Sequence, residues 1–511
     1  MPLACLLALA LAAGQDTLAG RLEAVMDGPD YAAARWGVLV ADAASGDVVY
    51  ARSGGKLFTP ASTTKLYTCA AALVALGADH TFTTTVVRRG SVGAAGTLTG
   101  DLILVASGDP SFGGRTVGKT LAFKDHDHTY ANSGLMASEL TATDPLAGLS
   151  ELARQVKAAG VNLVSGDVLV DDRLFQPAAG TGSGPDRIGP VVVNDNVLDL
   201  TIAPGAKAGD PANVTVRPET AVLSVDVDVT TGGPLSIRLE TPTKGRFTVR
   251  GSVPVGAKPV VRILPVDDPT AFARGLFIES LRRAGVRVVA PLHAATGTLP
   301  EKSADLPVVA SHTSPPLSEL VKVTLKVSHN LYAGMLPCLV AVKRGHTTLE
   351  AGLREEGKIL RELGVDPAGI SLGSGAGGSW ADCVSPQATV ALLRAMRTRD
   401  DWPAFKAALP GLGIDGTTVD VVGENSPAKG KAFGKTGTLV YTNGVGGGSL
   451  LRSKALAGVL TTAGGRELVY CFMVNDVRLP PGVPTSREGK VLGTLAEIVV
   501  EHGSLIRSPT R

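Results

Sequence analysis

The stretch Phe58-Thr59-Pro60-Ala61-Ser62-Thr63-Thr64-Lys65-Leu66-Tyr67-Thr68 decides how the rest of the chain is organised. Pro60 has a preset φ and no N–H to lose, which suits the first turn of a helix. From Ala61 onward Leu66, Cys69, Ala70, Leu73 and Val74 recur at helical spacing, and Gly77 stands where a C-cap belongs. Ser62 is therefore expected at a helix N-terminus, with Lys65 one turn on and on the same face. A serine needs a base to become a nucleophile, and a desolvated lysine can serve once its pKa falls. The helix N-terminus also favours negative charge developing at Ser62. Alone, the stretch reads better as an ordinary helix start with a surface lysine. Ser-x-x-Lys recurs at Ser53–Lys56 and Ser426–Lys429, but Gly54-Gly55 and Pro427 make those turns.

Working outward, Trp36 to Ala41 and Val48 to Ala51 read as a strand pair leading into the Ser62 helix. Phe82 to Arg88 and Leu98 to Val105 are strand-like, and Leu146 to Ala159 has a helical apolar face. Residues 163–264 are mostly strands, with Leu223 to Val229 alternating most clearly. A helix is expected at Thr270 to Ala284. Further helices are expected at Leu317 to Val327, Asn330 to Lys343, Thr348 to Leu363 and Gln387 to Thr398. Strands follow at Lys435 to Tyr441, Leu456 to Thr461 and Leu468 to Asn475, then a closing helix at Lys490 to His502. A split α/β domain would join the two ends around a β-rich insertion at 81–305.

At 511 residues and 44% hydrophobic content the chain can bury a large core in more than one domain. Net charge is +2, with no dense basic block, so nucleic acid is not an expected partner. Leu3 to Ala13 is an apolar run ending in small residues, too short to span a bilayer; it reads as a signal peptide at 1–14. No later run is long enough to cross a membrane, so an exported protein with peripheral membrane contact at most is expected. Cys69, Cys338, Cys383 and Cys471 are widely spaced, which argues for buried free thiols rather than zinc or a disulfide framework. Asp125-His126-Asp127-His128 concentrates metal-capable side chains, but in a polar loop with no third ligand evident. No metal and no cofactor are expected.

Two further motifs change the weight of Ser62. Ser328-His329-Asn330 falls between two helical runs, and Lys435-Thr436-Gly437-Thr438 opens a strand after Gly434. In this order, Ser-x-x-Lys, Ser-x-Asn and Lys-Thr-Gly resemble the signature of penicillin-binding proteins and serine β-lactamases. The chemistry suits the residue types. Ser62 would attack a carbonyl, Lys65 would take its proton, and Ser328 would relay a proton to the leaving amine. Asn330 can both donate to and accept from a substrate amide. Lys435 would attract a terminal carboxylate, with hydroxyls from Thr436 and Thr438, while Gly437 leaves room for substrate. Backbone N–H groups of Ser62 and Thr438 would form an oxyanion hole.

The chain is similar over most of its length to the D-alanyl-D-alanine carboxypeptidase/endopeptidase family, the low-molecular-mass class C penicillin-binding proteins. The stretches that carry the resemblance are Phe58–Lys65, Gly100–Leu104 with Gly108–Pro110, Val192–Asn196, Ser314–Ser318, Ser328–Tyr332, Gly413–Thr417 and Gly434–Thr438. It implies an α/β (α+β) fold: a β-lactamase/transpeptidase-like domain, an antiparallel sheet flanked by helices, with a large β-rich insertion. Segments 15–80 and 306–511 would form that domain, and 81–305 would hold two nested subdomains. It also implies cleavage of D-Ala-D-Ala ends and cross-links in peptidoglycan peptides, acylation by β-lactams, and a periplasmic location. Two departures stand out. His329 replaces the family's usual Asp or Asn, which could move pH dependence. Leu372-Gly-Ser-Gly-Ala-Gly377 lacks the carboxylate that opens the family's Asp-Gly-Ser-Gly stretch, which bears on how the site is braced. The length, and the missing Glu-x-x-Leu-Asn, disfavour a class A β-lactamase. A cell-wall binding protein with weak catalysis, or an esterase on the same fold, is the alternative.

Overall fold

The computed structural model describes residues 17–134 and 137–503. The signal-peptide expectation at 1–14 lies outside them. The chain divides into two compact units. One takes the described residues up to Ala78, Val321–His329 and those from Leu353 onward; the other comprises Asp79–Leu320 and Asn330–Gly352.

The first unit is built on a six-stranded sheet in the order Val48–Arg52, Arg35–Asp42, Glu467–Asn475, Ser449–Thr461, Ala432–Thr442, with Val477–Leu479 beside the start of Ser449–Thr461. Its neighbours along this path are antiparallel. The early strand pair thus completes a sheet whose other strands come from the C-terminal part of the chain. Glu467–Asn475 is central and buried almost throughout, which explains its unbroken apolar run: both faces are covered. On one face Val38, Val40, Tyr470 and Phe472 pack with Leu22 and Met26 of helix Leu18–Met26 and Leu495 and Val499 of helix Ser486–His502. Helix Pro386–Arg397 lies against the sheet too, capped by Ser385, whose Oγ accepts from Ala388 N at 3.1 Å. Ala432–Thr442 ends the sheet and pairs along its length only with Ser449–Thr461.

The second unit centres on another six-stranded sheet, in the order Arg287–Val288, Leu163–Val164, Thr97–Val105, Thr83–Val92, Val308–Thr313, with Val168–Asp171 also paired to Thr97–Val105. Helices Ala147–Ala158 and Pro269–Arg283 bury Leu149, Leu152, Val156, Phe272, Leu276 and Phe277 in its core. Two three-stranded sheets follow: Asn213–Arg217, Val197–Ala203, Val260–Pro265, and Ser224–Thr231, Arg246–Val253, Ser236–Thr243. The period-2 run from Leu223 is the Ser224–Thr231 strand.

The helices expected from periodicity form within a few residues of their predicted bounds. Two differences have simple causes. Helices Leu18–Met26 and Trp402–Ala408 were not expected, because each is short and only tertiary burial of one face sustains it. The strand expected from Leu456 begins at Ser449, since pairing with Val477–Leu479 extends it through a weakly apolar stretch.

Candidate active site

Ser62 does not stand on the first turn of an α-helix. Ala61–Thr64 is a 3-10 turn, and the α-helix proper is Lys65–Leu76. The chain enters through Ala61 at φ +46°, a left-handed conformation that costs an alanine about 1–2 kcal/mol. The surroundings hold it there. Thr63 Oγ1 donates to Pro60 O at 2.8 Å. Thr59 is tied to the sheet by Asn475, which accepts from its N–H at 2.8 Å and donates to its carbonyl at 3.2 Å; Ser453 Oγ donates to that carbonyl at 2.6 Å. Glycines allow the close packing: a Cβ on Gly377 would lie 2.0 Å from Ala61 O, and one on Gly437 2.4 Å from Pro60 O. The space that Gly437 leaves is thus taken by the turn before Ser62, not kept open for substrate as expected.

Lys65 is completely buried and its Nζ lies 2.7 Å from Ser62 Oγ, donating to it, and donates to Ala376 O at 2.8 Å. Burial pulls its pKa down to about 7, with Asp382 drawing it back up. Near neutral pH a large share is therefore free amine, which accepts along the same line from the Ser62 hydroxyl.

Lys435 is fully buried inside strand Ala432–Thr442 rather than at its start. Its Nζ donates to Thr436 O at 2.8 Å. Burial, then the charge of Lys65, hold its pKa well below the usual lysine range. Thr436 Oγ1 donates to Thr417 Oγ1 at 2.7 Å, and Thr438 Oγ1 accepts from Lys454 Nζ at 2.9 Å. Lys454 is itself pushed down to about 8 by burial. Thr417 belongs to a loop whose Asp415 accepts from Lys326 Nζ at 2.7 and 2.9 Å. That ion pair ties helix Leu317–Lys326, which leads to Ser328, to the segment beneath the Lys-Thr-Gly strand.

Ser328 is buried at φ +63°, and His329 N donates to Thr324 O at 3.1 Å. Ser328 belongs to the same unit as Ser62, Lys65 and Lys435–Thr438. Asn330 is counted with the second unit, where its Nδ2 donates to Ser183 O at 3.1 Å.

The loop that supplies Ala376 O is braced by a residue outside the three motifs. Asp382 Oδ1 accepts from Gly373 N (2.8 Å) and Ser374 N (3.2 Å), and Oδ2 from Ser374 Oγ (2.8 Å) and Ser379 N (2.8 Å). Ser374 Oγ in turn accepts from Gly377 N at 3.0 Å. The carboxylate missing at Leu372 is thus answered by one ten residues later, which no short pattern would signal.

Two residues of the Asp125–His128 run, Asp127 and His128, are taken up by buried ion pairs. Among the described residues no group of three or more His, Cys, Asp or Glu is arranged to hold a metal. Asp127 takes a two-point ion pair from Arg115 (2.7 and 3.1 Å), and His128 bridges Asp199 (2.5 Å) and Asp195 (2.8 Å). Burial opposes the charge on His128, but Asp199, Asp127 and Asp195 outweigh it and push its pKa up to about 10. The four cysteines among the described residues are free thiols, Cys383 only half-buried.

The sequence profile of the D-Ala-D-Ala carboxypeptidase 3 (S13) family matches residues 18–491. The chain belongs to that family. As an S13 peptidase it is a serine-type hydrolase. It is 31% identical over 450 residues to the D-alanyl-D-alanine carboxypeptidase of Actinomadura sp. (strain R39), covering 83% of this chain and 77% of the relative. It is 25% identical over 450 residues to D-alanyl-D-alanine carboxypeptidase DacB of Haemophilus influenzae, covering 83% and 81%. The crystal structure of penicillin binding protein 4 (dacB) from that organism superposes with a TM-score of 0.70 at 20% identity, over 94% of this chain and 99% of the other. The α/β fold that the resemblance implies is thus the fold observed.

Proposed function

We propose that this S13 peptidase is an exported enzyme that removes the terminal D-alanine from peptidoglycan stem peptides, opens D-Ala cross-links, and is acylated by penicillins, all through Ser62. One observation carries this: a fully buried Lys65 amine 2.7 Å from the Ser62 hydroxyl, with its pKa near 7. Lys65 as free amine takes the hydroxyl proton as Ser62 Oγ attacks the carbonyl of the penultimate D-alanine. The backbone N–H groups of Ser62 and Thr438 receive the developing oxyanion. Ser328 passes the proton to the departing amine, the C–N bond breaks, and D-alanine leaves an acyl-enzyme. Water then attacks the acyl carbon as Lys65 takes its proton, the ester bond to Ser62 Oγ breaks, and that proton returns to Oγ, releasing the shortened peptide and freeing Ser62.

Burial disfavours the charge on Lys435. An incoming carboxylate beside it restores that charge, so the terminal carboxylate and the lysine stabilise each other on binding. Export rests on the apolar run Leu3 to Ala13; no helix among the described residues is long and apolar enough to cross a membrane.

The test is labelling by a fluorescent penicillin, with Ser62→Ala as control, followed by digestion of a D-Ala-D-Ala pentapeptide and a cross-linked dimer with products identified by mass. Labelling that survives Ser62→Ala, or release of no D-alanine, overturns the proposal. A binding protein on this fold would neither label nor cleave.

A further inference from the structure

Trp380 is 84% exposed, and its ring stacks on Tyr441, itself 39% exposed, with centroids 5.7 Å apart and planes 6° from parallel. Large aromatics left in water as a stacked pair are uncommon, and their flat faces offer rigid contact area at little entropic cost. The two rings come from elements already placed around the site. Trp380 lies on the loop that Asp382 pins and that offers Ala376 O to Lys65. Tyr441 lies near the end of the strand that carries Lys435–Thr438.

That strand is the edge of its sheet, and at its start Phe433 is bridged by Gly411. An extended peptide can therefore add along its free edge only beyond that bridge. With the substrate's carboxylate at Lys435 and Thr436, its N-terminal side must run toward Tyr441. Thr438 to Tyr441 spans about 10 Å at roughly 3.3 Å per residue, the length of a few extended stem residues. Stem peptides are joined to the glycan strand at their N-terminus, so the next chemical group along this line is a sugar. We infer that the Trp380–Tyr441 stack is a platform for a sugar ring of the glycan strand, whose C–H-rich face lies on the electron-rich indole face. This rests on the reading of the site given above and extends it from the peptide to the polymer.

The experiment compares two substrates with the same D-Ala-D-Ala stem, a free pentapeptide and that pentapeptide on its disaccharide, in wild type, Trp380→Ala, Tyr441→Ala and Trp380→Phe. For the sugar-bearing substrate KM should rise about tenfold in the alanine variants with kcat little changed, and recover in Trp380→Phe. The free peptide should change by less than about twofold, having no sugar to lose. Equal losses on both substrates would mean an apolar stem contact instead and overturn the platform; so would no change on either. If wild type cleaves neither substrate, the catalytic reading fails by itself. The platform is then judged by titrating Ser62→Ala with the disaccharide alone. Tryptophan fluorescence that changes in this protein, and not when Trp380→Phe is added, supports it; no change at millimolar disaccharide refutes it.

Discussion

Gly437→Ala separates two explanations for the Lys-Thr-Gly glycine. A Cβ there would lie 2.4 Å from Pro60 O and 3.3 Å from the Cβ atoms of Ala61 and Ala455. The closest of these is backbone, and it belongs to a turn tied down through Thr59 to Ser453 and Asn475. It cannot swing aside as a flexible side chain could. Overpacking of this kind costs about 1–3 kcal/mol, which lowers Tm by roughly 3–10 °C for a unit of this size. Relief must come from parting the strand and the Ser62 turn. A shift of about 1 Å between Ser62 and the Lys435 strand should slow acylation roughly a hundredfold. The assays are a melting curve and the second-order rate of labelling by a fluorescent penicillin, alongside turnover of a small acyl ester. If the glycine merely cleared space for substrate, Tm would stay within about 1 °C and the small ester would be turned over normally. That outcome would refute the packing explanation.

The pH dependence of acylation follows from Lys65. With its pKa at about 7, the free amine is lost as pH falls through that value, so penicillin acylation should rise from pH 5 to a plateau above about 8; a flat profile would exclude Lys65 as the base. Asp382→Ala removes four hydrogen bonds from the loop that orders Ala376, and acylation should fall at least about tenfold. Asp382→Asn, which keeps one acceptor oxygen, should lose less; equal loss in both would count against bracing. Arg115→Met leaves the buried carboxylates of Asp127 and Asp195 without their main partner. It should destabilise the second unit by about 3–5 kcal/mol, seen in denaturant melts; an unchanged midpoint would show the network to be dispensable.

The proposed reactive groups were legible because each motif is local. Ser62 and Lys65 meet at 2.7 Å through a single turn, and three residues of separation suffice to foresee that. The same holds for the helices, whose apolar periodicity is a property of consecutive residues. Groups that act through partners far along the chain were not legible. Asp382 looked like any loop aspartate until its neighbours folded around it. The Asp125–His128 run could be read only as a polar loop, because the sequence does not reveal that Arg115, Asp195 and Asp199 arrive beside it; His128 and Asp199 are 71 residues apart.

Sequence alone therefore established the family through the order of its motifs and nominated Ser62 as nucleophile, Lys65 as its base and Lys435 as the anchor, since these readings depend on residue type and short spacing. Tertiary structure decided the left-handed Ala61, the burial that lowers Lys65, the carbonyl that Gly437 makes room for, and the stacked rings beyond the Lys-Thr-Gly strand. Those depend on which segments the sheet register brings side by side, and desolvation and steric fit exist only once those neighbours are in place.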